Sequence, residues 1–312
     1  MPESVDLHSH STASDGTFAP AAVARLAHDA GLVGLALTDH DTVAGVPECA
    51  AEAHRLGLAF LPGIEISAIA PTPNGTLHIL GYGVDPASPA LADMTRALIE
   101  ARDHRNPRIV ARLRELGIDI TLEEVLDHAR NAQHAGAEHA GSARSAAPDP
   151  LPAQLPVIGR PHIAAVLVRK NIVPTIKKAF DDYLGQTGQA WVDKERLAPR
   201  AAIDCIRQSA GVAVLAHPVQ LRTTNLAQLT QTIKDLADLG LEGIEVLHSD
   251  HTPDLTDTYT ALARRFNLLP TGGSDFHGHN KKDIPLGSAR GRQIPKEWMD
   301  ALIARAGSHR TP

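Results

Sequence analysis

The sequence predicts an α/β protein in which a parallel sheet or barrel is interrupted by a helical segment. Three observations lead there. Short apolar runs alternate with Ala-rich helical stretches over residues 5–84, the alternation resumes over 201–275, and residues 88–190 between them read mostly as helix. Such alternation implies parallel strands, because each crossover helix returns the chain to the same end of the sheet. A chain of 312 residues is long enough for one such domain with an insertion. The expected division is a barrel from residues 1–87 and 191–312 and a helical insertion subdomain at 88–190.

Along the chain, "VDLH" (5–8) reads as a strand and "APAAVARLAHDAG" (19–31) as a helix stopped by Gly31. "LVGLALTDH" (32–40) is a strand, "GVPECAAEAHRLG" (45–57) a helix and "LAFLPGIEIS" (58–67) a third strand. "APTPNG" (70–75) carries turn residues ahead of a fourth strand at 76–84. In the middle segment, "TLEE" (121–124) is a capping box that opens a helix running to about Arg130. "GRPHIAAVLVRK" (159–170) puts Pro161 in a first helical turn, where its missing amide costs nothing. The small, Pro-rich stretch 131–154 has no apolar period and reads as a flexible surface loop. Helices at 201–210, 226–239 and 254–266 then alternate with strands at 212–218, 241–249 and 268–275.

Composition excludes several classes. No apolar run approaches the roughly 20 residues that span a bilayer, and the first residues lack a signal-peptide pattern. Two cysteines, Cys49 and Cys205, give neither a disulfide framework nor a zinc–thiolate pattern and suit a reducing cytoplasm. A net charge of -6 argues against general nucleic-acid binding. No membrane and no obligate protein partner is expected.

The 17 histidines outnumber the aromatic residues (5 Phe, 3 Tyr and 2 Trp), and histidine is the commonest metal ligand. Their placement matters more than their number. His8 and His10 follow the first strand, with Asp15 in the next loop; His40 ends the second strand and Glu65 the third. His217 ends the strand after the insertion, and Asp275 and His277 end the last. In a parallel α/β barrel these strand ends share the active-site face. Residues two apart in an extended chain point the same way, so His8/His10 and Asp275/His277 can each aim a pair of ligands together. His78, inside the fourth strand, is the exception to the strand-end rule. A single "HxH" is weak evidence, but nine such groups, eight of them in matching positions, are strong. His28, His54, His128 and His309 read as surface or packing residues, and "HAGAEH" (134–139) as part of the loop.

The segments "DLHSHSTASDG" (6–16), "LTDHDT" (37–42), "GIEIS" (63–67), "LHILGYG" (77–83), "LAHP" (215–218) and "GGSDFHG" (272–278) resemble, in order and spacing, the motifs of the PHP (polymerase and histidinol phosphatase) family. "RN" (105–106), "GRPHIA" (159–164) and "AFDDYLG" (179–185) resemble its TrpH-like branch, which includes 3',5'-nucleoside bisphosphate phosphatases and a 5'-3' exoribonuclease. The resemblance implies a distorted (β/α)7 barrel whose helical insertion caps the site and which holds two or three divalent ions. By motif position, His8, His10, Glu65 and Asp275 would hold the first ion; Glu65, His78 and His217 the second; Asp15, His40 and His277 the third. Imidazole and carboxylate ligands without thiolate suit Mn²⁺, Fe²⁺ or Zn²⁺, with Mn²⁺ expected.

Paired ions of this kind activate water and clamp phosphoryl oxygens for in-line displacement. The expected function is therefore metal-dependent hydrolysis of nucleoside 3',5'-bisphosphates, such as pAp, to nucleoside 5'-monophosphate and phosphate. Asp15, His40 and His217 are the expected catalytic residues, with His217 or a water as general acid. Arg105, Arg160 and His162 are expected to bind substrate, because guanidinium pairs with phosphate and a helix N-terminus favours an anion. Arg102, Arg108 and Arg112 extend a basic strip beside Arg105, which could equally be a solvated helix face. Lys281 and Lys282 read as surface residues near the site. The main alternative is 5'-3' exonucleolysis of 5'-phosphorylated RNA. Histidinol phosphate phosphatase, C–N hydrolysis and a non-catalytic metal-binding domain are weaker alternatives.

Overall fold

The computed structural model describes residues 3–138, 158–193 and 196–310. The chain runs β1 (Ser4–Asp6), α1 (Pro20–Asp29), β2 (Gly34–Leu37), α2 (Val46–Arg55), β3 (Ala59–Ala68) and β4 (Leu77–Tyr82). It then enters α3 (Pro89–Glu115), α4 (Leu122–Glu138), α5 (Arg160–Arg169) and α6 (Ile176–Ala179), the last continued by a π-helical turn at Phe180–Leu184. It returns through α7 (Pro199–Gln208), β5 (Val212–Leu215), α8 (Leu226–Asp238), β6 (Gly243–Leu247), α9 (Pro253–Arg265), β7 (Leu269–Gly272), β8 (Ile294–Pro295) and α10 (Lys296–Arg310). Pro20, Pro47, Pro89, Pro161, Pro199 and Pro253 all stand in first helical turns, so proline sets where these helices begin. Thr121 and Glu124 form the expected capping box at the start of α4, each side chain bonding the other's backbone amide.

The strands form one sheet in the order β7-β6-β5-β4-β3-β2-β1-β8. The pairs β1–β2, β2–β3, β5–β6 and β6–β7 are parallel, as the alternation predicts. β4 departs from that expectation, being antiparallel to both β3 and β5. Residues 69–76, which join β3 to β4, are too few for a crossover helix, so the chain can only turn back. The reversal places the N-terminal end of β4 at the mouth formed by the C-terminal ends of the parallel strands. β8 pairs antiparallel with the start of β1.

The sheet closes beyond the named strands. His10 N donates to Phe276 O at 2.9 Å and Asp275 N to His8 O at 2.9 Å, joining the segment after β1 to the segment after β7. Asp6 adds a buried pin: its carboxylate accepts the amides of His8 (3.1 Å), Ser274 (3.0 Å) and Gly287 (2.6 Å). Close approach at this seam requires Gly273, where an added Cβ would lie 2.2 Å from His8 Cβ and 2.5 Å from its backbone N. Gly273→Ala is expected to destabilise the fold by about 1–3 kcal/mol through overpacking, and to impair metal binding by displacing His8. Thermal melts and metal content measured on one preparation check both effects.

Several expected strands end early. The strands read at 5–8, 32–40, 212–218, 241–249 and 268–275 stop at Asp6, Leu37, Leu215, Leu247 and Gly272. The polar residues that follow leave the ladder; Asp41 (φ 55°), His217 (φ 24°) and Asp275 (φ 59°) adopt left-handed backbone that no strand contains. Apolar patterning does not report that departure.

Helix α3 joins two apolar clusters. Leu91, Met94 and Leu98 in its first half pack on the barrel, while Ile109, Val110 and Leu113 pack with Val125, Ile163 and Leu167 of α4 and α5. A second correction concerns the segment expected as a loop: α4 continues through Glu138, so residues 131–138 are helical. The remainder of that segment, including His139, lies outside the described residues. Among the described residues, no helix is long and apolar enough to cross a membrane.

Candidate metal centre

The barrel mouth gathers all nine residues expected as ligands. Glu65, fully buried in β3, is the hub, and its two oxygens serve different neighbours. Oε2 lies 3.3 Å from His8 Nε2, 3.3 Å from His10 Nε2 and 2.9 Å from His40 Nδ1. Oε1 lies 2.7 Å from His78 Nδ1 and 2.8 Å from His217 Nε2. A carboxylate so divided has the form of a bridge between two cation positions. Asp275 Oδ1 faces His8 Nε2 at 3.5 Å and His10 Nε2 at 3.3 Å. Asp15 Oδ1 faces His277 Nε2 at 3.3 Å, and Asp15 Oδ2 faces His40 Nε2 at 3.7 Å. Four groups thus have ligand atoms mutually within 4.8 Å: His8–His10–Asp275, His8–Glu65–His217, His40–Glu65–His78, and His10–Asp15–His40–His277. His78, the exception to the strand-end rule, arrives because β4 is reversed.

The chemistry of this set fits divalent cations. His8 Nε2, both ring nitrogens of His10, His40 Nδ1, Glu65 Oε2 and His217 Nδ1 are buried polar atoms without a hydrogen-bond partner. Such atoms are costly to bury unless something binds them. Tautomers are set for ligation at two imidazoles. His277 Nδ1 donates to the Asp275 carbonyl at 2.9 Å, leaving the Nε2 lone pair aimed at Asp15. His8 Nδ1 lies 3.0 Å from Glu245 Oε1, leaving Nε2 aimed at Glu65 and Asp275. Burial alone would raise the carboxylates of Asp15, Glu65 and Asp275, but the histidines that surround and hydrogen-bond them, with Lys281 beside Asp275, hold all three well below the usual range. Burial pushes His78 and His277 down to about 4, so both rings are neutral at pH 7 and carry a lone pair that could ligate a cation.

The neighbours of His40 support the centre from behind. Asp39 accepts from Ser11 N (2.8 Å), Ser11 Oγ (2.7 Å) and Ser14 Oγ (2.6 Å), fixing the loop that carries His10 and Asp15. Asp41 accepts Ser67 N at 2.8 Å and pairs with Arg102 of α3.

A cleft of about 490 Å³ opens over the centre, lined at its base by Asp15, His40 and His78. Arg102, Arg105, Arg160 and Arg196 also line it. Arg102 is paired with Asp41 and Arg196 with Asp193. Arg105 and Arg160 form no ion pair among the described residues: Arg105 bonds Asn106 Oδ1 at 2.9 Å, and Arg160 donates to Leu184 O at 3.0 Å beneath Trp191. Burial, reinforced by neighbouring guanidiniums, pushes Arg105 down to about 9 and Arg160 to about 10. A buried Arg105 and a half-buried Arg160 that form no ion pair among the described residues give this part of the cleft a positive potential that favours an anion.

Other sequence expectations are redirected. His162 does not line the cleft; its Nδ1 accepts the Gly159 amide at 3.0 Å and caps α5. His217 is buried and also stands outside the lining. Arg108 and Arg112, further along α3 than the buried Arg102 and Arg105, are exposed. Lys281, read as a surface residue, pairs with Asp275 Oδ2 at 2.5 Å. Two residues were missed. Glu245 contacts His8, and His248 Nε2 lies 3.3 Å from Asp275 Oδ2. A signal existed for both: Gly243-Ile244-Glu245 repeats the tripeptide Gly63-Ile64-Glu65, and His248 follows its strand as His8, His40 and His217 follow theirs.

Comparison with known proteins agrees with this geometry. Residues 6–146 match the PHP domain. The chain is 32% identical over 273 residues to a phosphoribosyl 1,2-cyclic phosphate 1,2-diphosphodiesterase of Eggerthella lenta, covering 88% of this chain and 94% of that one. It is 31% identical over 282 residues to a 3',5'-nucleoside bisphosphate phosphatase of Chromobacterium violaceum, covering 90% of each. It is 32% identical over 274 residues to the 5'-3' exoribonuclease Rnm of Salmonella typhimurium, covering 87% of this chain and 84% of that one. A solved Bifidobacterium adolescentis structure, assigned as a metal-dependent phosphoesterase, superposes with a TM-score of 0.79 at 29% identity over 98% of both chains.

Proposed function

The chain belongs to the PHP domain family of metal-dependent phosphoesterases, and from that premise we propose that it hydrolyses nucleoside 3',5'-bisphosphates to nucleoside 5'-monophosphate and phosphate. One observation carries the choice: a single cleft is lined both by Asp15, His40 and His78 of the candidate metal centre and by Arg105 and Arg160, neither of which forms an ion pair among the described residues. A substrate with two phosphates matches such a lining, one group for the metal centre and one for the arginines. The similarity to a bisphosphate phosphatase supports the same reading.

In this reading the helical segment 88–190 serves as the cap that supplies Arg105 and Arg160. His8, His10, Glu65 and Asp275 hold one ion, Glu65, His78 and His217 a second, and Asp15, His40 and His277 a third, with Mn²⁺ favoured and Fe²⁺ or Zn²⁺ chemically suitable. Bound there, the ions acidify water and neutralise phosphoryl charge. Arg105 and Arg160 hold the 5'-phosphate, which orients the 3'-phosphate toward Asp15, His40 and His78. Water oxygen becomes bonded to phosphorus, the bond from phosphorus to the 3'-oxygen breaks, and that oxygen takes up a proton. Asp15 and His40 border the reacting group, whereas buried His217 acts by holding Glu65. The cytoplasm, where nucleotides and their breakdown products occur, is the proposed compartment.

Steady-state kinetics with Mn²⁺ on pAp, AMP, histidinol phosphate and 5'-phosphorylated oligoribonucleotides test the proposal. The expected result is the highest kcat/KM on pAp, at least about tenfold above AMP, since a charge-assisted contact is worth about 1.5–3 kcal/mol. Comparable rates on all four would sink bisphosphate specificity. A second reading, 5'-3' exonucleolysis of short RNA, is favoured by the continuation of the cleft to Gln220 and Arg222. Processive shortening of the oligoribonucleotide, faster than pAp turnover, would select it.

A further inference from the structure

Glu245 has no part in the ligand sets above, yet it is one of the most constrained groups in the molecule. It projects from β6 with no solvent exposure. Its Oε1 lies 3.0 Å from His8 Nδ1, and its Oε2 accepts the backbone amide of His217 at 2.7 Å. We propose that Glu245 is a positioning residue whose two oxygens fix one imidazole on each side of the Glu65 bridge. The inference rests on reading the cluster as a metal centre.

The logic follows from donors and acceptors. An ionised carboxylate only accepts, so the hydrogen between Glu245 and His8 resides on Nδ1. The Nε2 lone pair of His8 is then free and faces Glu65 Oε2 at 3.3 Å and Asp275 Oδ1 at 3.5 Å. A carboxylate behind a ligating imidazole sets its tautomer and ring angle in this way. On the other side, His217 has φ 24° and ψ 69°, a backbone conformation that L residues rarely adopt. The hydrogen bond from its amide to Glu245 holds that conformation, and with it Nε2 at 2.8 Å from Glu65 Oε1.

Glu245 does not belong to a separate site with His8 and His248, although ligand atoms of the three lie within 4.8 Å of one another. His248 Nδ1 accepts the Asp250 amide at 3.0 Å, so in the neutral ring Nε2 carries the hydrogen and offers no lone pair. His8 Nδ1 is already engaged.

The test is a cobalt(II) titration of the full chain, followed by visible ligand-field absorption and equilibrium dialysis. Cobalt binding by the unaltered protein checks the metal-centre reading, and Glu245→Gln checks the present one. Glutamine has one oxygen and one amino group, so it must turn N–H toward either His8 Nδ1–H or the His217 amide. The expected result is a metal-free variant that stays folded by circular dichroism, binds cobalt 10–100-fold more weakly, and gives an altered absorption band. In a His8→Ala background the further loss caused by E245Q is expected to be at least about threefold smaller, because part of its route is gone. Should E245Q not fold, Glu245→Asp, which keeps both acceptors at shorter reach, takes its place in the cycle. Unchanged affinity and absorption in E245Q, or a loss fully additive with His8→Ala, would overturn the proposal while leaving the metal centre standing.

Discussion

Glu65→Gln is expected to bind at least one divalent ion fewer per chain than the unaltered protein and to lower kcat/KM by about 10³-fold or more. The expectation follows from the division of its carboxylate: one oxygen faces His8, His10 and His40, and the other faces His78 and His217. Glutamine keeps one oxygen, so it can complete one group but not both. Each bound cation is worth several kcal/mol of transition-state charge stabilisation, and each 1.36 kcal/mol is a factor of ten in rate. Folding should survive, because the backbone of residue 65 stays paired with Leu80 of β4 and the side chain keeps its volume. Metal content by mass spectrometry of the dialysed protein and kinetics at saturating Mn²⁺ check the two effects separately. Metal content equal to that of the unaltered protein, with a rate within tenfold of it, would show that Glu65 is not a bridge.

The clustering of the candidate ligands was legible in sequence because they obey two geometric rules. Pairs two residues apart point together, which made His8/His10 and Asp275/His277 visible, and parallel strands converge at one mouth, which added His40, Glu65 and His217. His78 fitted neither rule, and only the short β3–β4 turn, which forces β4 to run backwards, explains its arrival. Glu245 escaped notice because β6 is buried on both faces, so alternation along "GIEVL" distinguishes nothing; its likeness to "GIEIS" was the available clue. The substrate side was less legible. Arg102, Arg105, Arg108 and Arg112 all read as one basic strip along α3, but only the first two are covered: Arg102 and Arg105 are buried and the other two exposed. His162 shows the opposite failure. A histidine in a first helical turn can bind an anion or cap its own helix, and sequence does not say which way the ring turns. The structure turns it toward the Gly159 amide.

Arg105→Met is expected to stabilise the metal-free protein while weakening catalysis on a bisphosphate about 10–150-fold. The two effects have one cause. Arg105 is buried with Arg102 and Arg160 nearby, and its pKa is pushed down from the ordinary guanidinium range to about 9, chiefly by burial. A base whose folded pKa lies below its unfolded value destabilises the fold while charged. That cost is fully present below about pH 9 and is relieved only as pH rises toward the unfolded value. Each unit of such a shift corresponds to about 1.4 kcal/mol, so removing the charge should raise Tm by at least about 2 °C. The same uncompensated charge is what a substrate phosphate would neutralise, at about 1.5–3 kcal/mol for a charge-assisted hydrogen bond. On a small phosphate monoester lacking a second phosphate, such as p-nitrophenyl phosphate, kcat/KM should change by less than about threefold, because its one phosphate goes to the ligand cluster. Melting curves without metal, set beside kinetics on pAp and on p-nitrophenyl phosphate, separate the outcomes. Equal losses on both substrates, with no gain in Tm, would mean that Arg105 supports the fold of the cap rather than the second phosphate. A gain in Tm with a loss confined to pAp would identify Arg105 as a residue whose destabilising charge is retained for binding.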